Sequence, residues 1–471
     1  MSQSFQLKEQ FSVARPIEQV FDYLADFSQI VDWDPSVFSA KKISQGAIKQ
    51  GSQFDLIIKS AGRKLPMAYE LIDYQPYHSL TFLGKAEGFT ATDRIVLKAQ
   101  NDHTHITWQA DLEFTGVLQY LIPVMRRSLQ QLGQNSMRGL EQALNDNYPV
   151  PIAASESLKQ KLVLPALWPF TKYGYLQAQK NWHPVSASIK NKHVVITGTS
   201  SGLGLAAAKS LAAKGADLTL VMRNANKAKS IQASLIKETG NPHIHIELAD
   251  LSLMNDVLAL SQRLIKNAKP IDVLINNAGA LFNPRQQTKE GLEQSFALLL
   301  LSPFILTEQL KSLLIKGSRV INVLSGGMYS QKIDVDDLEN KGGAYSGSVA
   351  YAKAKRGLMI TTEQWANTWQ TDGICVHAMH PGWAETTGVI SALPEFYRLT
   401  KPLLRSPEQG ADTIVWLATA TEAGKCTGLF WLDRQPQATH LLAKTQETAQ
   451  QREQLRLSLL SYQQRFMAVP Q

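Results

Sequence analysis

Tyr351 and Lys355 stand four residues apart in Tyr351-Ala-Lys-Ala-Lys355, inside the helix-compatible stretch 349–360, so their side chains are expected on one helix face. A nearby ammonium favours phenolate over phenol and is expected to lower the tyrosine pKa from about 10 toward working pH. A tyrosine so tuned protonates a carbonyl oxygen as hydride reaches the carbon, or runs the reverse. The hydride needs a carrier, and a site for one precedes the pair in Thr197-Gly-Thr-Ser-Ser-Gly-Leu-Gly204. Alone, the first string is also a plain surface pair and the second a tight turn. Together they outline a carbonyl–alcohol oxidoreductase.

The surrounding elements must position both. The β-branched run 192–197 enters the glycine loop, and Leu205-Ala-Ala-Ala-Lys-Ser-Leu-Ala-Ala-Lys214, rich in helix formers, leaves it for Gly215. The loop therefore opens a helix, where free N–H groups and the helix dipole favour a pyrophosphate. Thr197, Gly198, Ser200, Ser201, Gly202, Leu203 and Gly204 are the expected contacts. Apolar β-rich runs recur at 216–222, 244–248, 271–275, 319–324, 374–379 and 428–432, mostly separated by helix-length segments. That alternation predicts an α/β unit, a doubly wound parallel sheet of Rossmann type with ligands at the carboxyl ends of its strands.

The second run ends at Met222-Arg223-Asn224, with Lys227 close behind. An acidic residue there would select the unphosphorylated cofactor, whereas the planar fork of Arg223 suits a 2′-phosphate. NADP (NADPH) is therefore expected over NAD, the alternative being a solvated surface arginine.

On these motifs, residues from about 190 to 435 resemble the short-chain dehydrogenase/reductases. The resemblance implies that Asn276-Asn277-Ala278-Gly279 lines the adenine side and stabilises the sheet, and that Asp250, followed by Leu251, touches the adenine ring. It implies that Pro381-Gly382-Trp-Ala-Glu-Thr386 supplies the threonine beside the nicotinamide carboxamide. It makes Ser325, Tyr351 and Lys355 the catalytic residues, with Tyr351 and Lys355 also touching cofactor. Ser325 could instead cap the following turn. Its spacing of 26 residues to Tyr351 resembles the retinol-dehydrogenase-like branch. Ser325-Gly-Gly-Met328, His380-Pro-Gly-Trp-Ala384, Phe430-Trp-Leu-Asp-Arg-Gln-Pro436 and Tyr173-Gly-Tyr175 are similar to the subgroup called dehydrogenase/reductase SDR family member 12. One departure matters: Leu299 stands where the family has an asparagine that supports a water chain to the lysine. Leucine cannot hold a water, so proton supply is expected to be rerouted, slowed or absent.

The first 146 residues carry neither motif. Residues 5–14 alternate as a strand, Pro16 opens a helical stretch, and β-type runs follow through Leu112. Leu118, Leu121, Ile122, Met125, Leu129, Leu132, Leu140 and Leu144 then fall at helical spacing in one long helix over 117–144. With Phe11-Ser-Val-Ala-Arg-Pro-Ile-Glu-Gln-Val-Phe21 and Trp33-Asp-Pro35, this order resembles the START-like helix-grip domains (polyketide cyclase or SRPBCC type), an α+β fold whose cavity implies a lipid-like ligand. Phe54, Phe82, Phe89 and Trp108 line such a pocket or fill a core, and residue by residue the core is expected.

Residues 147–190 are expected to be a proline-broken linker, with Pro149, Pro151, Pro165, Pro169 and Pro184. Its apolar run 162–170, flanked by Lys159, Lys161 and Lys172, is too short to span a bilayer and is expected to pack on a domain, with peripheral membrane contact as the alternative. The dehydrogenase-like domain then covers 191–440, and 441–471 form an amphipathic helical tail for packing or homo-oligomer formation. Two cysteines, Cys375 and Cys426, are too few for a disulfide framework, and the opening residues lack a signal-peptide pattern, so a cytoplasmic location is expected. The net charge of +8 is spread without a basic run, which argues against nucleic acid, and the histidines lack metal-ligand spacing, so no metal is expected. The expected function is NADP-dependent hydride transfer to or from a hydrophobic small molecule bearing a carbonyl or alcohol. The alternative is a weak or inactive NADP-binding, lipid-binding or transfer protein.

Overall fold

The computed structural model describes residues 3–34, 36–60, 63–100, 103–115, 122–144, 150–151, 168–180, 182, 188–385, 397–398 and 400–468. The chain forms two compact units, Met1–Ser155 and Glu156–Gln471, divided within the proline-rich stretch.

In the first unit, β1 (Gln3–Val13), β2 (Val37–Lys42), β3 (Gln53–Ser60), β4 (Arg63–Gln75), β5 (Ser79–Ala86), β6 (Phe89–Gln100) and β7 (His103–Phe114) make one antiparallel sheet in the order 1-7-6-5-4-3-2. Helices α1 (Ile17–Ala25) and α2 (Ile122–Leu144) complete a helix-grip fold. Glycine lets α2 approach closely: a Cβ on Gly133 would overlap Leu7 of β1, and one on Gly139 would overlap the Trp33 carbonyl. Leu140 and Leu144 are fully buried, but Leu132, expected on the same face, is 45% exposed. At 3.6 residues per turn it lies about 80° around the helix from Leu140. Leu118, Leu121 and Pro35 lie outside the described residues. Phe27 stacks on Phe82 at 4.2 Å and meets Phe54 edge-on at 6.2 Å, so these rings fill core. Phe89 stacks on Phe114 instead. Trp108 donates to buried Asp93 at 3.0 Å and Tyr69 to the same carboxylate at 3.1 Å.

The second unit is a Rossmann sheet. In chain order its strands are His193–Thr197, Asp217–Met222, Ile244–Leu248, Ile271–Asn276, Leu314–Val323, Cys375–Met379, Phe430–Leu432 and Gln435–Gln437, lying 3-2-1-4-5-6-7-8 across the sheet and parallel except the last. Connections leave in opposite directions between strands 1 and 4, which opens a crevice at their carboxyl ends. On one face, residues 294–313 and the helices Met254–Lys266, Gly347–Thr368 and Ala449–Met467 share a continuous core. The C-terminal helix is therefore packed on its own unit through Leu455, Leu459 and Phe466.

The later part of the expected linker is structured. Trp168–Phe170 forms a tight turn and α3 (Lys172–Gln179) follows, capped by Thr171. Residues 152–167, including most of the apolar run, Lys159, Lys161 and Pro165, lie outside the described residues, as do Pro149 and Pro184. Arg405, 1% exposed, holds this segment. Its guanidinium grips Asp433 through two bonds, 2.6 and 2.8 Å, and donates to the carbonyls of Pro169, Phe170 and Thr171. Taking one partner from a buried charge pair leaves the other uncompensated. Arg405→Met is therefore expected to cost about 3–5 kcal/mol in urea unfolding, with addition of Asp433→Asn, which removes the orphaned charge and tolerates the left-handed backbone there, restoring part of the loss. A cost below about 1 kcal/mol would mean that the pair is not effectively desolvated.

Candidate active site

The first strand delivers the chain into the glycine loop, where Gly198 adopts φ +70°, a conformation costly for any side chain. A Cβ on Gly204 would overlap the Gly198 carbonyl, so the loop closes onto α4 (Gly202–Ala213) only with glycine there. Ser201 at the start of α4 makes no side-chain capping bond, whereas Asn224 caps α5 (Ala225–Thr239). An uncapped helix start with backbone in close approach fits a dinucleotide diphosphate.

A cleft of about 700 Å³ runs along the strand ends. Gly198, Ser200, Ser201, Gly202, Leu203, Gly204, Arg223, Asp250, Leu251, Asn277, Ala278, Gly279, Ser325, Tyr351, Lys355, Pro381 and Gly382 all line it. Thr197 lies just behind, its hydroxyl accepting from the N–H groups of Asn277 and Ala278 at 3.0 Å each, so it braces the loop. Thr386 is outside the described residues. Arg223 is exposed on the rim. Asp250 accepts from Ser252 N–H and hydroxyl, which fixes the turn after the third strand. Asn276 donates to Asn322 and Thr307, and Asn322 donates to Thr362, so the strand ends are bolted to the helix bearing Tyr351 and Lys355.

Ser325 caps the turn Gly326–Ser330 by accepting from Gly327 N–H, and it lines the same cleft as Tyr351, whose pKa it draws downward. Capping and positioning are thus one arrangement. Lys355 is 3% exposed and donates to the Val323 carbonyl at 2.7 Å. Burial pulls its pKa down to about 8. The expected lowering of the Tyr351 pKa is not what this geometry gives: burial pushes it up to about 12, against a downward pull from Ser325. The Lys355 ammonium, engaged by Val323 and 5.8 Å from the tyrosine ring centroid, does not offset burial. At neutral pH Tyr351 is therefore a protonated phenol beside a fixed serine, which can donate a proton to a carbonyl oxygen.

Leu299 lies fully buried in a π-helical stretch, Ala297–Leu301, within residues 294–313. It borders a separate cavity of about 10 Å³ that Lys355, Asn276 and Ser302 also line. Sequence reasoning missed the walls of the main cleft. Phe170, Phe282 and His380 line it, whereas the sequence places Phe170 in a linker and offers no metal-ligand spacing to single out His380. The apolar run ending at Phe170 was the available signal. His380 accepts from Gly382 N–H through Nδ1, and burial, aided by the Arg405 charge, pulls its pKa down to about 3.

Comparison with known proteins divides the chain at the same place as its fold. The short chain dehydrogenase family model matches residues 192–395, and the model described as polyketide cyclase / dehydrase and lipid transport matches residues 4–145. Dehydrogenase/reductase SDR family member 12 of Bos taurus is 38% identical over 292 residues, 61% of this chain and 91% of that protein. Retinol dehydrogenase 13 of Homo sapiens is 30% identical over 280 residues (56% and 83%), and polyprenol dehydrogenase of Homo sapiens 29% over 252 (51% and 76%).

The ionisation of Lys355 gives opposite expectations for activity and for stability. In initial-rate measurements, kcat/KM for the nicotinamide cofactor, which reports the free protein, should hold to about pH 7.5 and fall above about 8 as Lys355 loses its charge. Tyr351 keeps its proton throughout that range. For stability the sign is reversed: with the folded pKa of Lys355 below the unfolded value of about 10.4, the unfolded chain binds the extra proton, so this contribution rises with pH between about 8 and 10.4. A flat kcat/KM through about pH 9.5 would remove the lysine charge from the site's chemistry.

Proposed function

This chain belongs to the short-chain dehydrogenase/reductase family, and we propose that it is an NADP-dependent reductase of a carbonyl on a hydrophobic molecule, with its N-terminal unit binding or delivering a lipid-like ligand. The observation that carries the reading is the meeting of Ser325, Tyr351 and Lys355 on the cleft that the glycine loop opens. When bound, the reduced nicotinamide supplies the hydride. Ser325 fixes the substrate oxygen, and the Tyr351 hydroxyl gives that oxygen its proton as negative charge develops. Lys355, held by Val323, places a positive charge one helical turn from Tyr351. The proton lost by Tyr351 must return before the next turnover. Relatives named for retinol and polyprenol support a hydrophobic substrate. The lipid-transport description of the model matching residues 4–145 supports the role given to the first unit.

Leu299 favours a second reading, a binding or transfer protein in which the cleft holds NADP without sustained turnover. The two separate at Tyr351. Removing its hydroxyl in Tyr351→Phe should reduce carbonyl-dependent NADPH oxidation by about 10³-fold or more while the NADPH dissociation constant stays within about threefold, because the proton is needed only in the transition state. Parent protein that binds NADPH but oxidises it with no hydrophobic carbonyl tested would favour the binding role, and near-parent turnover in Tyr351→Phe would remove the tyrosine from the mechanism.

Cofactor choice rests on Arg223. NADPH is expected to bind at least about tenfold more tightly than NADH, and Arg223→Asp should erase or reverse the preference by setting like charges together. Fluorescence titration measures both affinities. Equal affinities in the parent would end the assignment.

A further inference from the structure

The segment that carries Phe170 precedes the region matched by the dehydrogenase family model. It is nevertheless fixed to the cleft more firmly than a connecting turn requires. Arg405 donates to three successive carbonyls of the segment while paired with Asp433, and Trp383 N–H donates to the Phe170 carbonyl at 2.7 Å. Arg405 N–H in turn donates to the Trp383 carbonyl at 2.7 Å. The guanidinium lies against Gly382, where a Cβ would overlap it, so the stitch reaches the Pro381-Gly382 stretch that borders the cleft.

What this stitch presents to the cleft is an aromatic ring. Phe170 meets His380 edge-on with centroids 4.6 Å apart and is tilted against Trp383 at 6.2 Å. His380 packs directly on Gly326, the neighbour of Ser325, and Phe282 lines the same cleft. The His380 imidazole is neutral, so it adds a π surface without a charge. Ring surfaces fixed in place recognise a flat π system through its faces and edges, and they discriminate against a puckered saturated body of similar size.

We propose that Phe170, positioned by the Arg405–Asp433 pair, forms a substrate-binding wall, and that the preferred substrate joins its carbonyl to a planar aromatic ring system. The assignment rests on the carbonyl-reductase reading only in placing the substrate oxygen at Ser325 and Tyr351. The wall itself is tested by binding.

Full-length protein saturated with NADP+, which cannot reduce a ketone, is titrated with 2-acetylnaphthalene and with its fully saturated analogue, 2-acetyldecahydronaphthalene, by ligand-observed NMR. The parent should bind the aromatic ketone about fivefold or more tightly than the saturated one. Phe170→Leu, which keeps apolar bulk and removes the ring, should bring the ratio to within about twofold, and Phe170→Tyr should retain it. Circular dichroism establishes that each variant is folded, and where Phe170→Leu is not, Phe170→Met takes its place. No preference in the parent, or an undiminished preference without the ring, overturns the proposal. If the preference holds but neither ketone supports NADPH oxidation, the reductase reading fails and the wall stands. If both ketones are reduced without discrimination, the wall fails and the reductase stands.

Discussion

The site depends on a buried ammonium held against a main-chain carbonyl. Lys355 is almost fully buried, and its donation to Val323 ties the middle of one helix to the end of the fifth Rossmann strand. That bond lets one rigid geometry serve several groups. Tyr351 lies one turn earlier on the same helix, and Ser325 follows two residues after Val323 on the strand side. The neutral chain Asn276–Asn322–Thr362 repeats the tie with hydrogen bonds of 2.9 Å, so strand and helix cannot slide without breaking buried polar contacts. Burial of Lys355 and preorganisation of Tyr351 are two effects of one constraint.

A second buried cation extends the unit beyond its family core. Arg405 is satisfied by a carboxylate and main-chain carbonyls, the surroundings that make a desolvated guanidinium tolerable. It thereby fastens α3 and the turn before it to the crevice. The C-terminal helix does the corresponding work on the opposite side of the chain order, where Leu455 and Leu459 enter the core shared with Leu299 and Trp365. Segments at both ends of this unit are thus recruited by burial, one through charge and the other through apolar area.

Much of this was legible in the sequence because its signals are local. The runs at 244–248 and 374–379 are β-rich and bounded by breakers, and strands occupy Ile244–Leu248 and Cys375–Met379. The glycine loop could be read because a strand, a left-handed glycine and a helix start follow one another directly. What escaped reading was set by distant partners. Phe170 looked like part of a linker because Arg405 and Asp433, the residues that fix it, lie more than 200 residues away. The tyrosine pKa was misjudged for a related reason. Spacing places Lys355 on the face of Tyr351, but only the fold reveals that Val323 takes the ammonium and that burial dominates the phenol.

Leu299 shows how a family departure can be accommodated physically. A polar side chain there would have to find its partner across the small cavity, because Leu298, Leu306 and Leu358 offer none, and an amide left unpaired costs about 1–3 kcal/mol. Leucine removes that demand, and the polar groups bordering the cavity come instead from Ser302, one turn along, and from Asn276, whose Oδ1 is buried without a protein partner. At about 10 Å³ the cavity is at the lower limit for a single water, so it has no room for an extended relay. The main cleft, by contrast, reaches Tyr351 and Lys355 with about 700 Å³. A proton returning to Tyr351 therefore has its widest approach from the substrate side.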